Sequence, residues 1–176
     1  MSSREQILDG ALALLKEGGS VSLETAARRA GLTKPGLMYH FPTKEALMLA
    51  LVDRVVDGWE ERLAGFLAGP VDGAPPAARM AAYLEWTLVD EPDLGDLVMF
   101  ADPRLCERLT AHWVERMETW LAMPASVPAE ERVRLTAVRL MADGLWFAEA
   151  MRNHPPDEAT RAGLRDLAQS MLEGLR

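Results

Sequence analysis

Residues 22–44 constrain this chain more than any other stretch. Two short helical patterns meet there at Gly31, the residue type best suited to a left-handed turn. The first pattern begins after Ser22, a good N-cap, and Glu24 suits the positive end of its dipole. The second follows Thr33 as N-cap, with Leu32 and Leu37 spaced for a hydrophobic staple. Pro35 falls in the first turn, where a missing N–H matters little. Phe41 closes this helix and Pro42 stops it; Thr43 then caps a longer helix over about 44–68. Two short helices around a tight glycine turn form a helix-turn-helix.

That arrangement can serve DNA reading, because its second helix enters the major groove and offers side chains to base edges and phosphates. Leu37 and Phe41, four apart, pack inward, which leaves Lys34, Gly36, Tyr39 and His40 on the other faces. Lys34 suits a phosphate or a guanine edge. Tyr39 offers a ring face to a thymine methyl and a hydroxyl to a phosphate, and His40 a donor to phosphate. Gly36, having no side chain, lets the backbone come close to DNA. Lys44 stands at a helix N-terminus, where a phosphate clamp is expected. With Ser22 and Thr33 these are the candidate DNA contacts. The same shape also occurs in helical bundles that bind nothing.

The rest of the chain reads as helix throughout, with no alternating pattern that would support a strand. A first helix is expected over 3–17, with Ser3 and Gln6 as a capping box and Ile7, Leu8, Ala11, Leu12, Leu14 and Leu15 as its buried stripe. Gly18 and Gly19 end it. A Pro/Gly-rich loop covers 69–76, and further helices are expected over 76–89, 94–101, 103–122, 128–153 and 156–175. The fold class is therefore all-α.

Charge argues against DNA binding at first sight, since the 176 residues carry a net −8. Its distribution changes that: residues 1–50 hold six basic and five acidic side chains, a net of +1, which leaves −9 for the remainder. A near-neutral head on an acidic body can still dock through the head. Hydrophobic residues make up 49%, enough for a core, so disorder is not expected. Cys106 is the lone cysteine, which excludes an intrachain disulfide and fits a reducing compartment. The N-terminus does not read as a secretory signal and no apolar run is long enough for a membrane, so a soluble, cytoplasmic protein is expected.

Enzyme chemistry has no visible basis. No nucleophile elbow, phosphate loop or zinc signature is present, and neither a catalytic residue nor a cofactor is expected. His112 and His154 are distant, and Cys106 and His112 do not share a helical face, so no metal site is expected. Asp90, Glu91, Asp93 and Asp96 read as a solvated loop, not a cation site.

The run Leu32-Thr33-Lys34-Pro35-Gly36-Leu37-Met38-Tyr39-His40-Phe41-Pro42-Thr43-Lys44-Glu45-Ala46-Leu47 resembles the recognition segment of TetR-family regulators. Ile7-Leu8, Ala11-Leu12, Leu14-Leu15 and Ala27, Ala30-Gly31-Leu32 upstream are similar to that family as well. The resemblance covers about the first third of the chain. Two positions depart from it: Met38 stands where Tyr is common, and Pro35 where Gly is common. Base preference therefore does not carry over.

The resemblance implies a DNA-binding head, 1–45, and an all-helical domain, 46–176, that dimerises and binds a small effector. It implies a one-component transcriptional regulator, in the main a repressor, acting as a homodimer on double-stranded, palindromic operator DNA. The helix over 128–153 carries apolar residues around most of its circumference and is expected to be buried on more than one side. Leu164, Leu167, Ala168, Met171 and Leu172 form a stripe on the last helix and, with Leu145, are the candidate dimer interface; alternatively they close the monomer core. Trp59, Tyr83, Trp86, Phe100, Trp113, Met117, Trp120 and Trp146 are candidates for a pocket that takes a small apolar or amphipathic effector. Ordinary core is the competing reading for each. Trp113, Met117 and Trp120 share a helical face and are the expected pocket wall.

Overall fold

A computed structural model describes residues 3–92 and 94–175; Asp93 of the acidic loop lies outside them. Eight α-helices and a 3-10 segment account for the described structure, with no strand among the described residues. They are α1 Ser3–Lys16, α2 Leu23–Arg29, α3 Lys34–His40, α4 Lys44–Ala64, α5 Pro76–Val89, the 3-10 segment Leu94–Phe100, α6 Cys106–Leu121, α7 Ala129–Ala150 and α8 Glu158–Leu172. The all-α expectation holds, and α5 spans the expected residues.

Element ends differ where local chemistry competes with the apolar period. The segment after Asp93 is 3-10 and not α, with Leu97 off helical geometry. It lies between Pro92 and Pro103 and is two short 3-10 turns meeting at Leu97, each within the few residues that 3-10 geometry sustains. Ser3, expected as a cap, is already the first residue of α1. Helix α4 stops at Ala64, where Gly65 and Phe66 donate to the carbonyls of Arg62 and Leu63 in a tightened last turn. Helix α6 starts after a turn in which Asp102 accepts from the Arg104 N–H at 2.9 Å. Beyond α7, the Asn153 N–H donates to the Ala148 carbonyl, closing the helix end around Arg152 in the left-handed region (φ 51°). Asp157 caps α8 by accepting from the Thr160 N–H at 2.8 Å.

The chain divides into two compact units, residues 3–58 with 94–116 and residues 59–92 with 117–175. In the first, Ile7, Leu8, Ala11 and Leu15 of α1 are buried together with Ala26, Ala27, Leu37, Phe41, Leu47, Met48 and Leu51. Helix α1 packs on α2 and on the 3-10 segment, and α2 packs on α3. Gly10 allows the first of these contacts: a Cβ there would lie 3.1 Å from Cγ of Arg29 on α2.

In the second unit α5 is the central helix, packed on both α7 and α8. It buries Met80, Tyr83, Leu84, Trp86, Thr87 and Leu88, around most of its circumference. Helix α7, expected to be buried on more than one side, is buried on one within the chain: Leu135, Val138, Ala142, Leu145 and Trp146 are buried, while Val133, Leu140, Phe147 and, just past its end, Met151 are exposed. Apolar content all round the helix thus resolves into one face against the core and a second that faces outward.

Candidate nucleic-acid interface and aromatic cluster

Helix α2 is held at its start by a reciprocal cap. The Thr25 N–H donates to Ser22 Oγ at 3.0 Å, and the Ser22 N–H donates to Thr25 Oγ1 at 2.8 Å. Ser22 is the cap its sequence position implies, and Thr25 takes the place of the usual Glu or Gln. Gly31 takes the left-handed turn at φ 67°, and the Leu32 N–H reaches back to the Ala27 carbonyl at 2.9 Å. Thr33 Oγ1 accepts from the Gly36 N–H at 3.2 Å and starts α3. Thr43 Oγ1 accepts from the Ala46 N–H at 3.0 Å and starts α4. Both ends of the reading segment are therefore fixed by side chains adjacent in sequence.

On α3, Leu37 is buried and Phe41 closes the same side, with the Arg4 guanidinium 5.2 Å from the Phe41 ring centre. Tyr39 points away from that core and is 86% exposed; Met38 is also exposed. The rings of Tyr39 and His40 meet edge to face at 5.3 Å between centres. Gly36 is half-buried, and Ser22 and Thr33 have their hydroxyls engaged in the caps. Lys34 donates to Glu24 of α2 at 2.7 Å, an exposed pair that holds the Glu24 carboxyl below its usual range. Such an exposed pair contributes little to stability.

Lys44 differs. Its ammonium donates to Asp102 Oδ2 at 2.5 Å, and the Asp102 side chain is only 12% exposed. The Lys44 hydrogen bond, joined by that from the Arg104 N–H, holds the Asp102 carboxyl below the usual carboxylate range. Further pairs follow along the same two segments of the unit: Arg108 with Glu45 at 2.6 Å, His112 with Asp53 at 2.7 Å, and Arg116 with Asp53 at 2.6 Å and Asp57 at 2.7 Å. Burial works against the Arg116 charge, but the hydrogen bonds to Asp57 and Asp53 outweigh it and raise its pKa. Sequence reasoning missed this ladder, although the spacing of Arg108, His112 and Arg116 at successive helical turns was its visible half.

In the second unit four of the candidate pocket residues come together. The Trp59 ring lies 4.5 Å from Trp86 and 5.1 Å from Trp146, and Tyr83 stacks on Trp86 at 5.8 Å. Met117 and Trp120 are buried in the same unit. Phe100 and Trp113 belong to the first unit, Phe100 exposed and Trp113 half-buried, so the expected Trp113, Met117 and Trp120 wall is divided between units. The indole N–H groups of Trp86, Trp120 and Trp146 are buried with no hydrogen-bond partner among the described residues. Tyr83 donates to Asp143 Oδ1 at 2.9 Å; burial, and then the Asp143 charge, push its phenol well above its ordinary pKa. A separate open recess of about 390 Å³ is bordered by mixed charges, among them Asp90, Glu91, Glu149, Arg152 and Arg161.

Arg79 was not singled out from sequence. Its guanidinium is buried and donates to the carbonyls of Thr119, Trp120 and Ala122 at 2.5, 3.1 and 2.8 Å. It supplies donors to the last carbonyls of α6, where a cation also suits the helix dipole. Of the expected interface residues, Leu145 and Ala168 are buried, Leu164, Met171 and Leu172 are half-buried and Leu167 is 51% exposed. Among the described residues no cluster of His, Cys, Asp and Glu could hold a metal ion. No helix among them is long and apolar enough to cross a membrane.

Capped helices meeting at a left-handed glycine, with an exposed face on the second, define a helix-turn-helix protein. The family described as bacterial regulatory proteins, tetR family, matches residues 7–51, and the one described as tetracyclin repressor-like, C-terminal domain, matches residues 77–173. The chain belongs to the TetR family of transcriptional regulators, DNA-binding proteins of this architecture.

Two relatives show the extent of the likeness. The HTH-type transcriptional regulator RutR of Escherichia coli K12 is 38% identical over 79 residues, 44% of this chain and 36% of RutR. The HTH-type transcriptional regulator EthR of Mycobacterium tuberculosis H37Rv is 36% identical over 126 residues, 69% of this chain and 56% of EthR. The chain thus spans about a third to a half of these relatives' length. Among solved structures, a TetR-family member from Streptomyces coelicolor superposes with a TM-score of 0.65 at 21% identity, covering 97% of this chain and 98% of that one. The multidrug binding protein EbrR, solved with ethidium, gives 0.63 at 20% identity, with 97% and 98% covered. At these identities the agreement is one of fold.

Proposed function

We propose that this chain is a homodimeric repressor that places residues 34–40 in the major groove of a palindromic operator and leaves it when a small molecule binds the second unit. The observation that carries the reading is the exposure of Tyr39 on a helix anchored by buried Leu37 and Phe41. Tyr39 held in solvent on a rigid element presents an apolar ring and a hydroxyl together, which suits contact with a partner. Residues 1–45 serve as the DNA-binding part and residues 46–176 as the ligand-binding and dimerisation part. Lys34, Tyr39 and His40 contact base edges or phosphates, Gly36 allows close approach, and Ser22, Thr33 and Lys44 face the backbone.

Dimerisation rests on the outward face of α7 and α8, where Leu140 is 55% exposed and Phe147, Met151 and Leu167 are exposed as well. A second copy related by a two-fold axis covers the same patch on both chains and sets the half-site spacing. The effector is apolar and aromatic-compatible, and enters the cluster of Trp59, Tyr83, Trp86 and Trp146. The unpartnered indole N–H groups of Trp86 and Trp146 select a ligand that carries a hydrogen-bond acceptor. Release follows if this ligand prefers the arrangement in which the two heads no longer match the operator.

Selection of bound duplexes from a random DNA pool tests the reading. The expected result is an inverted repeat, with affinity falling steeply as salt rises. Failure to enrich any sequence at modest salt overturns it.

A further inference from the structure

We propose that Asp102 sets the DNA affinity of the head by competing with phosphate for Lys44. This inference rests on the DNA-reading function of the head and adds a regulating residue to it. Lys44 follows the reading helix directly, at the N-terminus of α4, where main-chain N–H groups and the helix dipole favour an anion. That anion is already supplied from within the same unit, by a carboxylate 2.5 Å from the ammonium.

Asp102 is built into this position. Its second oxygen accepts from the Arg104 N–H, and Pro103 follows it, so the carboxylate is oriented by its own turn. Its side chain is 12% exposed, whereas Lys44 is 40% exposed and open to an incoming anion. An ammonium has three donors and can touch both anions, but phosphate then meets a neutralised cation with a carboxylate behind it. The charge effective at the clamp falls by close to one unit. Any event in the unit that withdraws Asp102 from Lys44 restores that charge and strengthens binding to all sequences.

Asp102→Asn removes the charge and keeps the acceptor for the Arg104 N–H. Its affinity for sheared genomic duplex DNA, measured by fluorescence anisotropy over a salt series, is expected to rise about five-fold at modest salt, with a log–log slope steeper by about 0.9. In a Lys44→Ala background the same substitution is expected to change neither quantity. Thermal unfolding by circular dichroism checks that each variant is folded. Equal affinity of Asp102→Asn and the parent overturns the proposal, as does an equal gain with and without Lys44, which would mark a general charge effect. Absence of duplex binding by every variant instead overturns the DNA-reading function, and this inference with it.

Discussion

Leu37 is buried while Tyr39, two residues further along the same seven-residue helix, is 86% exposed. The two side chains divide α3 between holding and presenting. Leu37→Ala is expected to destabilise the first unit by about 2–5 kcal/mol, the range for removing a buried leucine side chain. Tyr39→Ala is expected to leave the melting temperature unchanged and weaken DNA binding with altered sequence preference. Parallel calorimetry and DNA titration separate the two roles; a large stability loss in Tyr39→Ala would contradict the division.

The caps of the reading segment are expected to behave as local fasteners. Thr33→Ala removes the acceptor of the Gly36 N–H, and a loss of about 1 kcal/mol follows from the usual worth of an N-cap. Thr33→Ser keeps the oxygen and should retain most of the stability. Denaturant unfolding of the two variants provides the comparison.

Arg79 links α5 to the last turn of α6 inside the second unit. Arg79→Met keeps much of the apolar stem and removes every donor, leaving the buried Trp120 carbonyl and the part-buried ones of Thr119 and Ala122 without their cation. The expected loss is about 2–4 kcal/mol, as for buried acceptors deprived of a charged donor. Hydrogen exchange should report the change first at the C-terminal end of α6.

The Tyr83 phenol is pushed up by burial and by Asp143. In the unfolded chain a tyrosine ionises near 10. The folded value lies above this, so the contribution of neutral Tyr83 is complete below pH 10 and is lost as pH rises through the folded value. In a Tyr39→Phe variant, which leaves Tyr83 as the only phenol, absorbance at alkaline pH should therefore change together with unfolding and not before it.

Leu167→Glu places a charge on the exposed apolar face of α8. If a second copy covers that face, sedimentation should show monomers with an unchanged helical spectrum. Persistence of the parent mass would rule this face out as the dimer contact.

Much of the fold was legible because its signals are local. Gly31, Thr33, Pro35, Pro42 and Thr43 mark boundaries by their own backbone chemistry, and the structure places the helix ends beside them. The apolar period located α5 to the residue. What escaped depends on residues distant in sequence. Lys44 and Asp102 are 58 positions apart, and Tyr83 and Asp143 are 60 apart. Nothing at either position announces its partner. The second apolar face of α7 was legible as apolar but not as exposed, because periodicity marks side-chain type and not whether the chain itself covers it. The cluster of Trp59, Tyr83, Trp86 and Trp146 joins three helices, and the period of one helix does not show which of its aromatic residues meet those of another.

The ladder of Glu45, Asp53 and Asp57 against Arg108, His112 and Arg116 has a consequence for movement. Apolar surfaces that part must be wetted, which ties their separation to unfolding. Charged side chains can be taken up by solvent, ion by ion, while the helices that bear them stay intact. A seam of this composition is expected to weaken under added salt without loss of helix, which circular dichroism over a salt series would show.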